Sequence, residues 1–158
     1  MKRYLSLISI TLMIIGLMAF SALTALAIER PFHLVEHGKV SVTPRDSTGK
    51  ILDLSADGIG TATHLGLLTL HRDAVLTSDT GGPVFAVRGE ATLTSANGEQ
   101  LRSTITGTVD LSTGHADLIY EWTGGSKGRF ENATGTTTWS VDVSNGEYDA
   151  VADGLIKY

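Results

Sequence analysis

After Ala27 this chain is built from short runs in which apolar and polar residues alternate, each run ended by a turn dipeptide. Successive side chains of an extended strand point to opposite faces, so such runs give sheets with one dry face and one wet face. Leu101, Ser103, Ile105, Gly107 and Val109 share one parity, against Arg102, Thr104, Thr106 and Asp110 on the other. Trp139, Val141 and Val143 alternate in the same way with Thr138, Ser140 and Asp142. No stretch long enough to form a helix carries the helical period. The chain is therefore expected to be all-β.

The runs fall into eight segments. Val40–Val42 leads into Pro44 and Thr48-Gly49, Ile51–Leu54 ends at Asp57-Gly58, and Thr61–Leu70 ends near Arg72-Asp73. Phe85–Ser95 meets Asn97-Gly98, and Leu101–Leu111 meets Thr113-Gly114. Asp117–Trp122 runs into Gly124-Gly125, Thr136–Val143 meets Asn145-Gly146, and Tyr148–Tyr158 closes the chain. Both Asn-Gly pairs fit two-residue type I′ hairpins, in which both central residues take positive φ. About eight evenly spaced strands suggest an up-and-down barrel or a two-sheet sandwich. Closure removes exposed edges, so a single antiparallel barrel is favoured.

Residues 126–135, Ser-Lys-Gly-Arg-Phe-Glu-Asn-Ala-Thr-Gly, break the rhythm. Their length suits a short helical or irregular cap near residues 127–135, with Phe130 plugged into the core. Arg129 and Glu131 then form either an ordinary ion pair, the favoured reading, or binding groups at the barrel mouth.

Residues 1–27 have a separate logic. Lys2 and Arg3 precede an uncharged, largely apolar run from Tyr4 to Phe20, and Ala25-Leu26-Ala27 supplies small residues for cleavage. This is the pattern of a secretory signal peptide, leaving residues 28–158 as one domain in the periplasm or outside the cell. An uncleaved anchor is the competing reading, but Ser6, Ser9 and Thr11 dilute the run. No stable membrane anchor is expected after cleavage.

Without Lys2 and Arg3, ten basic residues face seventeen acidic ones, a net charge of −7. They form no basic cluster, so nucleic acid is not an expected partner. The absence of cysteine removes thiol catalysis and thiolate metal sites. A domain of this size can bury enough surface to fold without disulfides. Neither a P-loop nor a dinucleotide fingerprint is present, so no cofactor is expected.

Two motifs imitate enzymes. His33-Leu34-Val35-Glu36-His37 matches the H-x-x-E-H zinc signature. The stretch between Pro31 and Gly38 is too short for a stable helix, and on a strand the two histidines stand about 13 Å apart. No metal site is expected there. Gly124-Gly125-Ser126-Lys127-Gly128 matches a nucleophile elbow, yet no histidine follows Ser126. It reads as a glycine-rich turn, and no catalytic residue is assigned. Asn132-Ala133-Thr134 fits a glycosylation acceptor, relevant only in a eukaryotic source.

The aromatic residues fall mostly on the apolar parity, where they either fill a core or line a pocket for one small ligand. The candidate ligand-binding set is His64, Arg129, Trp122, Trp139 and Tyr148. His64, within the apolar run Thr61–Leu67, points into the barrel as a structural core residue or as a cavity acid–base. The expected partner is a small apolar or amphipathic molecule; the sequence leaves oligomeric state open. The readings in play are a binding module, an isomerase or cyclase working in a barrel cavity, and a structural protein with a filled barrel.

Gly60-Thr61-Ala62-Thr63-His64-Leu65-Gly66, Ala96-Asn97-Gly98-Glu99, Gly128-Arg129-Phe130 and Ala133-Thr134-Gly135 occur in an order that resembles small exported bacterial proteins of the allene oxide cyclase-like, dirigent-like barrel superfamily. The resemblance covers most of residues 60–158 and implies an eight-stranded antiparallel barrel. It carries no catalytic residue over, because the plant enzymes' substrate motifs are not reproduced here.

Overall fold

The computed structural model describes residues 28–158, and over 124–126 the backbone only. The signal peptide expected at residues 1–27 lies outside them. The strands are β1 (Glu29–Pro44), β2 (Ile51–Ala62), β3 (Gly66–Thr77), β4 (Val84–Ser95), β5 (Gln100–Asp110), β6 (His115–Lys127), β7 (Thr134–Ser144) and β8 (Glu147–Lys157). Each pairs antiparallel with the next. β8 returns to β1, with Val35 opposite Val151, and closes the barrel. The alternation dictates this closure: Leu34, Leu70, Leu93, Leu101, Ile105 and Trp139 all point inward and are buried.

Two turns sit elsewhere than the sequence suggested. β2 runs straight through Asp57-Gly58 and β3 through Arg72-Asp73; the chain reverses inside the Thr61–Leu70 run instead. There His64 and Gly66 take the left-handed conformation, at φ 70° and 67°. Gly58 serves clearance, not reversal. A Cβ on it would lie 2.2 Å from the Tyr148 hydroxyl oxygen and 2.7 Å from Glu36 Oε1.

The two Asn-Gly turns also part company. Asn145 and Gly146 both have positive φ, and Ser144 pairs with Glu147, as a two-residue type I′ turn requires. Asn97 does not: only Gly98 is left-handed there, at φ 83°. Asn97 Oδ1 instead accepts hydrogen bonds from Ser95 Oγ (2.5 Å) and the Glu99 backbone N–H (3.1 Å). That side-chain bond stabilises an Asx-type turn with a longer loop.

One end of the barrel is sealed. A single 3-10 turn, Gly128–Phe130, lays the fully buried Phe130 ring 4.8 Å from the Tyr158 ring. Arg129 pairs with Glu99 (Nε to Oε2, 3.0 Å) rather than with Glu131, and also donates to the His64 carbonyl. The cap is thus tied to the β4–β5 and β2–β3 turns.

Candidate functional site

From the cap inward the barrel is filled by aromatic rings. Phe32 meets Trp122 at 5.2 Å between centroids, Trp122 meets Tyr120 at 6.4 Å, and Tyr120 stacks on Trp139 at 4.2 Å. Trp139 Nε1 donates to Thr137 Oγ1 at 2.8 Å. Tyr120 and Trp139 are among the largest fully buried side chains of the described residues.

Past the rings the interior changes character. Glu36 on β1 and Arg72 on β3 both point inward and are 2 % and 4 % exposed. Arg72 Nη2 donates to Glu36 Oε1 at 2.6 Å, and the Tyr148 hydroxyl donates to the same oxygen. The guanidinium carbon lies 4.8 Å from the Tyr148 ring centroid, 5.4 Å from Trp139 and 5.8 Å from Tyr120. A planar, delocalised cation suits such a three-ring surround.

Burial raises the Glu36 pKa, and the nearby Arg72 charge and the Tyr148 hydrogen bond only partly offset it. Burial likewise pushes Tyr120 up to about 12 and raises Tyr148, so both stay protonated. Five groups around this interior keep polar atoms without a hydrogen-bond partner among the described residues. They are Glu36 Oε2, Arg72 Nε, Tyr120 Oη and, nearer the cap, Trp122 Nε1 together with Ser103 Oγ.

Beyond Arg72 and Tyr148 the barrel opens to its other end through an apolar cup. Its wall is Val40, Leu54, Ala74, Val87, Val141 and Val143, with Ala56, Ile105, Val109, Ala116 and Leu118 completing it. The enclosed volume is about 50 Å³. That holds the end of a small molecule, not a whole drug-sized one, for which pockets of about 300 Å³ or more are usual. Broader hollows of about 420 and 460 Å³ lie on the outer wall. They are open troughs between exposed side chains, where little of a small molecule would leave water, so the cup is the better site.

The five residues singled out from sequence are not brought together. His64 sits in the β2–β3 turn at the capped end, where its Nε2 contacts the Pro31 carbonyl at 2.9 Å and its ring meets Tyr158 edge-on. It is half-buried and does not line the interior cup. Arg129 is on the cap. Trp122 and Trp139 belong to the aromatic fill, and Tyr148 alone lines the cup. The residues that sequence reasoning missed are Glu36 and Arg72. Their signal was available: Glu36 shares parity with Phe32 and Leu34, and Arg72 with Leu68, Leu70 and Leu76.

The H-x-x-E-H stretch splits across the wall of β1. His33 and His37 face outward, toward Asp153 (2.7 Å) and Asp149 (3.9 Å), while Glu36 faces inward. Among the described residues no group of three or more histidine, aspartate or glutamate side chains is placed to hold a metal. Ser126 lies on the backbone of β6 next to the 3-10 turn, not on a strand–turn–helix elbow.

Neither a protein-family profile nor any curated protein matches the chain in sequence. The chemistry must be read from the barrel itself.

Proposed function

We propose that this is an exported barrel that takes the apolar end or body of a small amphipathic molecule into its open cup. The observation that carries the reading is an apolar wall set directly above a buried, incompletely bonded polar floor. A fully packed interior has no use for such a floor, because buried polar atoms without partners cost stability. A signal-peptide-like leader and the resemblance to allene oxide cyclase-like barrels support an exported small-molecule binder. Tyr148, whose hydroxyl donates to Glu36 behind it, lines the cup, and binding does not require it to move a proton.

The aromatic fill and the small volume of the cup favour a second reading, a structural barrel whose interior serves stability alone. Titration with linear alcohols from butanol to octanol, followed by backbone amide NMR, separates the two. Binding in the cup predicts shifts centred on Val87, Val109, Val141 and Val143, with affinity rising about fourfold per methylene, equivalent to about 0.8 kcal/mol each, until the cup is full. Ala116→Trp, which fills the cup, should abolish them. Shifts confined to outer-wall residues such as Ile59 and Leu67, or none at all, would leave the structural barrel.

A further inference from the structure

The two Asn-Gly turns share a sequence and differ in their bonding. From that contrast we infer that Asn145 is a modification site, where the side-chain amide is lost spontaneously through a cyclic imide with Gly146, and that the fold protects Asn97 from the same reaction. This is independent of what the cup binds.

The reaction needs two free groups. The backbone nitrogen of the following residue attacks the asparagine Cγ and gives up its proton to water. The Cγ–Nδ2 bond breaks, and Nδ2 takes up a proton and leaves as ammonia. One water then opens the imide, at the side-chain carbonyl to give aspartate or at the backbone carbonyl to give isoaspartate. The net change is amide plus water to acid plus ammonia, with no oxidant or other co-reactant. A glycine in the second position leaves the attack unhindered, because it has no Cβ.

Local sequence does not separate the two turns. Ala96-Asn97-Gly98-Glu99 and Ser144-Asn145-Gly146-Glu147 differ only in the first residue, and both asparagines are exposed. Hydrogen bonds do separate them. At Asn97 the attacking group is tied, since the Gly98 N–H donates to the Ser95 carbonyl at 2.9 Å. The amide is tied as well: Nδ2 donates to Glu99 Oε2 at 3.0 Å, and Oδ1 accepts from Ser95 Oγ and the Glu99 backbone N–H. Turning that amide toward the Gly98 nitrogen breaks these bonds together. In the type I′ turn neither the Asn145 amide nor the Gly146 N–H has a hydrogen-bond partner among the described residues. Gly146 uses only its carbonyl, which accepts from the Val40 N–H at 2.9 Å.

Conversion at this position reaches the rim of the barrel. The new carboxylate joins Asp142, Glu147 and Asp149, which line the same outer hollow as Asn145. The isoaspartyl product also lengthens the backbone by the side-chain carbon, in a turn where Ser144 pairs with Glu147 across only two residues. Val40, held by the Gly146 carbonyl, and Val143 both line the cup.

The test is to hold the purified protein at pH 8, folded in buffer and in parallel unfolded in urea, and to sample it over days. Digestion and mass spectrometry then follow the amide-to-acid mass gain separately at residues 97 and 145, with aspartyl and isoaspartyl peptides resolved by chromatography. In the folded protein Asn145 should convert about tenfold faster than Asn97, equivalent to a barrier difference of about 1.4 kcal/mol, and give both products. In urea the two rates should converge. Equal rates in the folded protein, a faster Asn97, or an unchanged Asn145 while the unfolded chain converts would overturn the inference. A gap that survives in urea would place its cause in the sequence and overturn the protective role of the fold.

Discussion

Glu36 and Arg72 are charged residues on the dry face of their strands, and each depends on the other. Removing one partner of a buried ion pair strands the other charge and typically costs about 3–5 kcal/mol, whereas replacing both by neutral groups of similar size is far milder. Arg72→Met should therefore lower stability by about that amount in denaturant unfolding. Glu36→Gln combined with Arg72→Met should recover most of the loss. A double variant as unstable as the sum of the singles would mean that the two residues are not coupled. At the capped end, Phe130 is fully buried on a single 3-10 turn. Phe130→Ala should lose about 3–5 kcal/mol, the cost of emptying a core aromatic site; a thermally silent substitution would contradict the cap. The two sites differed in legibility. Phe130 was readable as an isolated aromatic in a polar, glycine-bracketed segment. Arg72 was not, because Arg72-Asp73 looks like a turn unless the parity of Leu68 and Leu70 is carried through it.

The strands carry a second pattern, on the outer wall. Of the five histidines, four lie on strands, and each stands opposite an aspartate on a neighbouring strand: His33 with Asp153, His37 with Asp149, His71 with Asp57 and His115 with Asp142. Hydrogen bonds donated to Asp57 and Asp142, and secondarily the nearby Asp73 and Asp117, hold His71 and His115 above their ordinary pKa of 6.5. Asp110, across from His115 on β5, adds to the acidic surround. Because the folded values are raised, this stabilisation is fully present below about pH 6.5 and is lost as pH rises through the folded values. Glu36, raised by burial, acts in the same sense. On the acid side Asp46, Glu99 and Asp110 are held low, first by hydrogen bonds from Thr48, Asn97 and Ser112. Their contribution is present above the ordinary carboxylate range and is lost as pH falls through the lowered values. Calorimetric Tm should accordingly peak between about pH 5 and 6 and fall toward pH 8, and His71→Asn with His115→Asn should shrink that fall. A Tm that rises from pH 6 to 8 would contradict it.

Element by element, the number and type of strands were readable from alternation, while their limits were not. Asp57-Gly58 is a turn signal in isolation, and only the Tyr148 hydroxyl arriving from β8 explains a glycine there. A long-range contact of that kind has no local trace. Asn97-Gly98 and Asn145-Gly146 show the same limit, since identical dipeptides fold differently once Ser95 Oγ bonds Asn97 Oδ1.

At the scale of the whole molecule, the barrel is two unlike halves joined at one charged layer. Toward the cap, Phe32, Tyr120, Trp122, Trp139 and Phe130 fill the interior; toward the open end, alanine and valine leave the small cup. Strand parity tells which side chains face inward but not how deep each sits or how its volume meets those across the barrel. Filled or hollow was therefore beyond the sequence. Native mass spectrometry of the protein purified from its own host, compared with the Ala116→Trp variant, tests the ligand-binding cup most directly. The predicted result is a small adduct on the native chain that dissociates on gentle activation and is missing from the variant. A bare polypeptide mass for both proteins, or an adduct retained by Ala116→Trp, would contradict it.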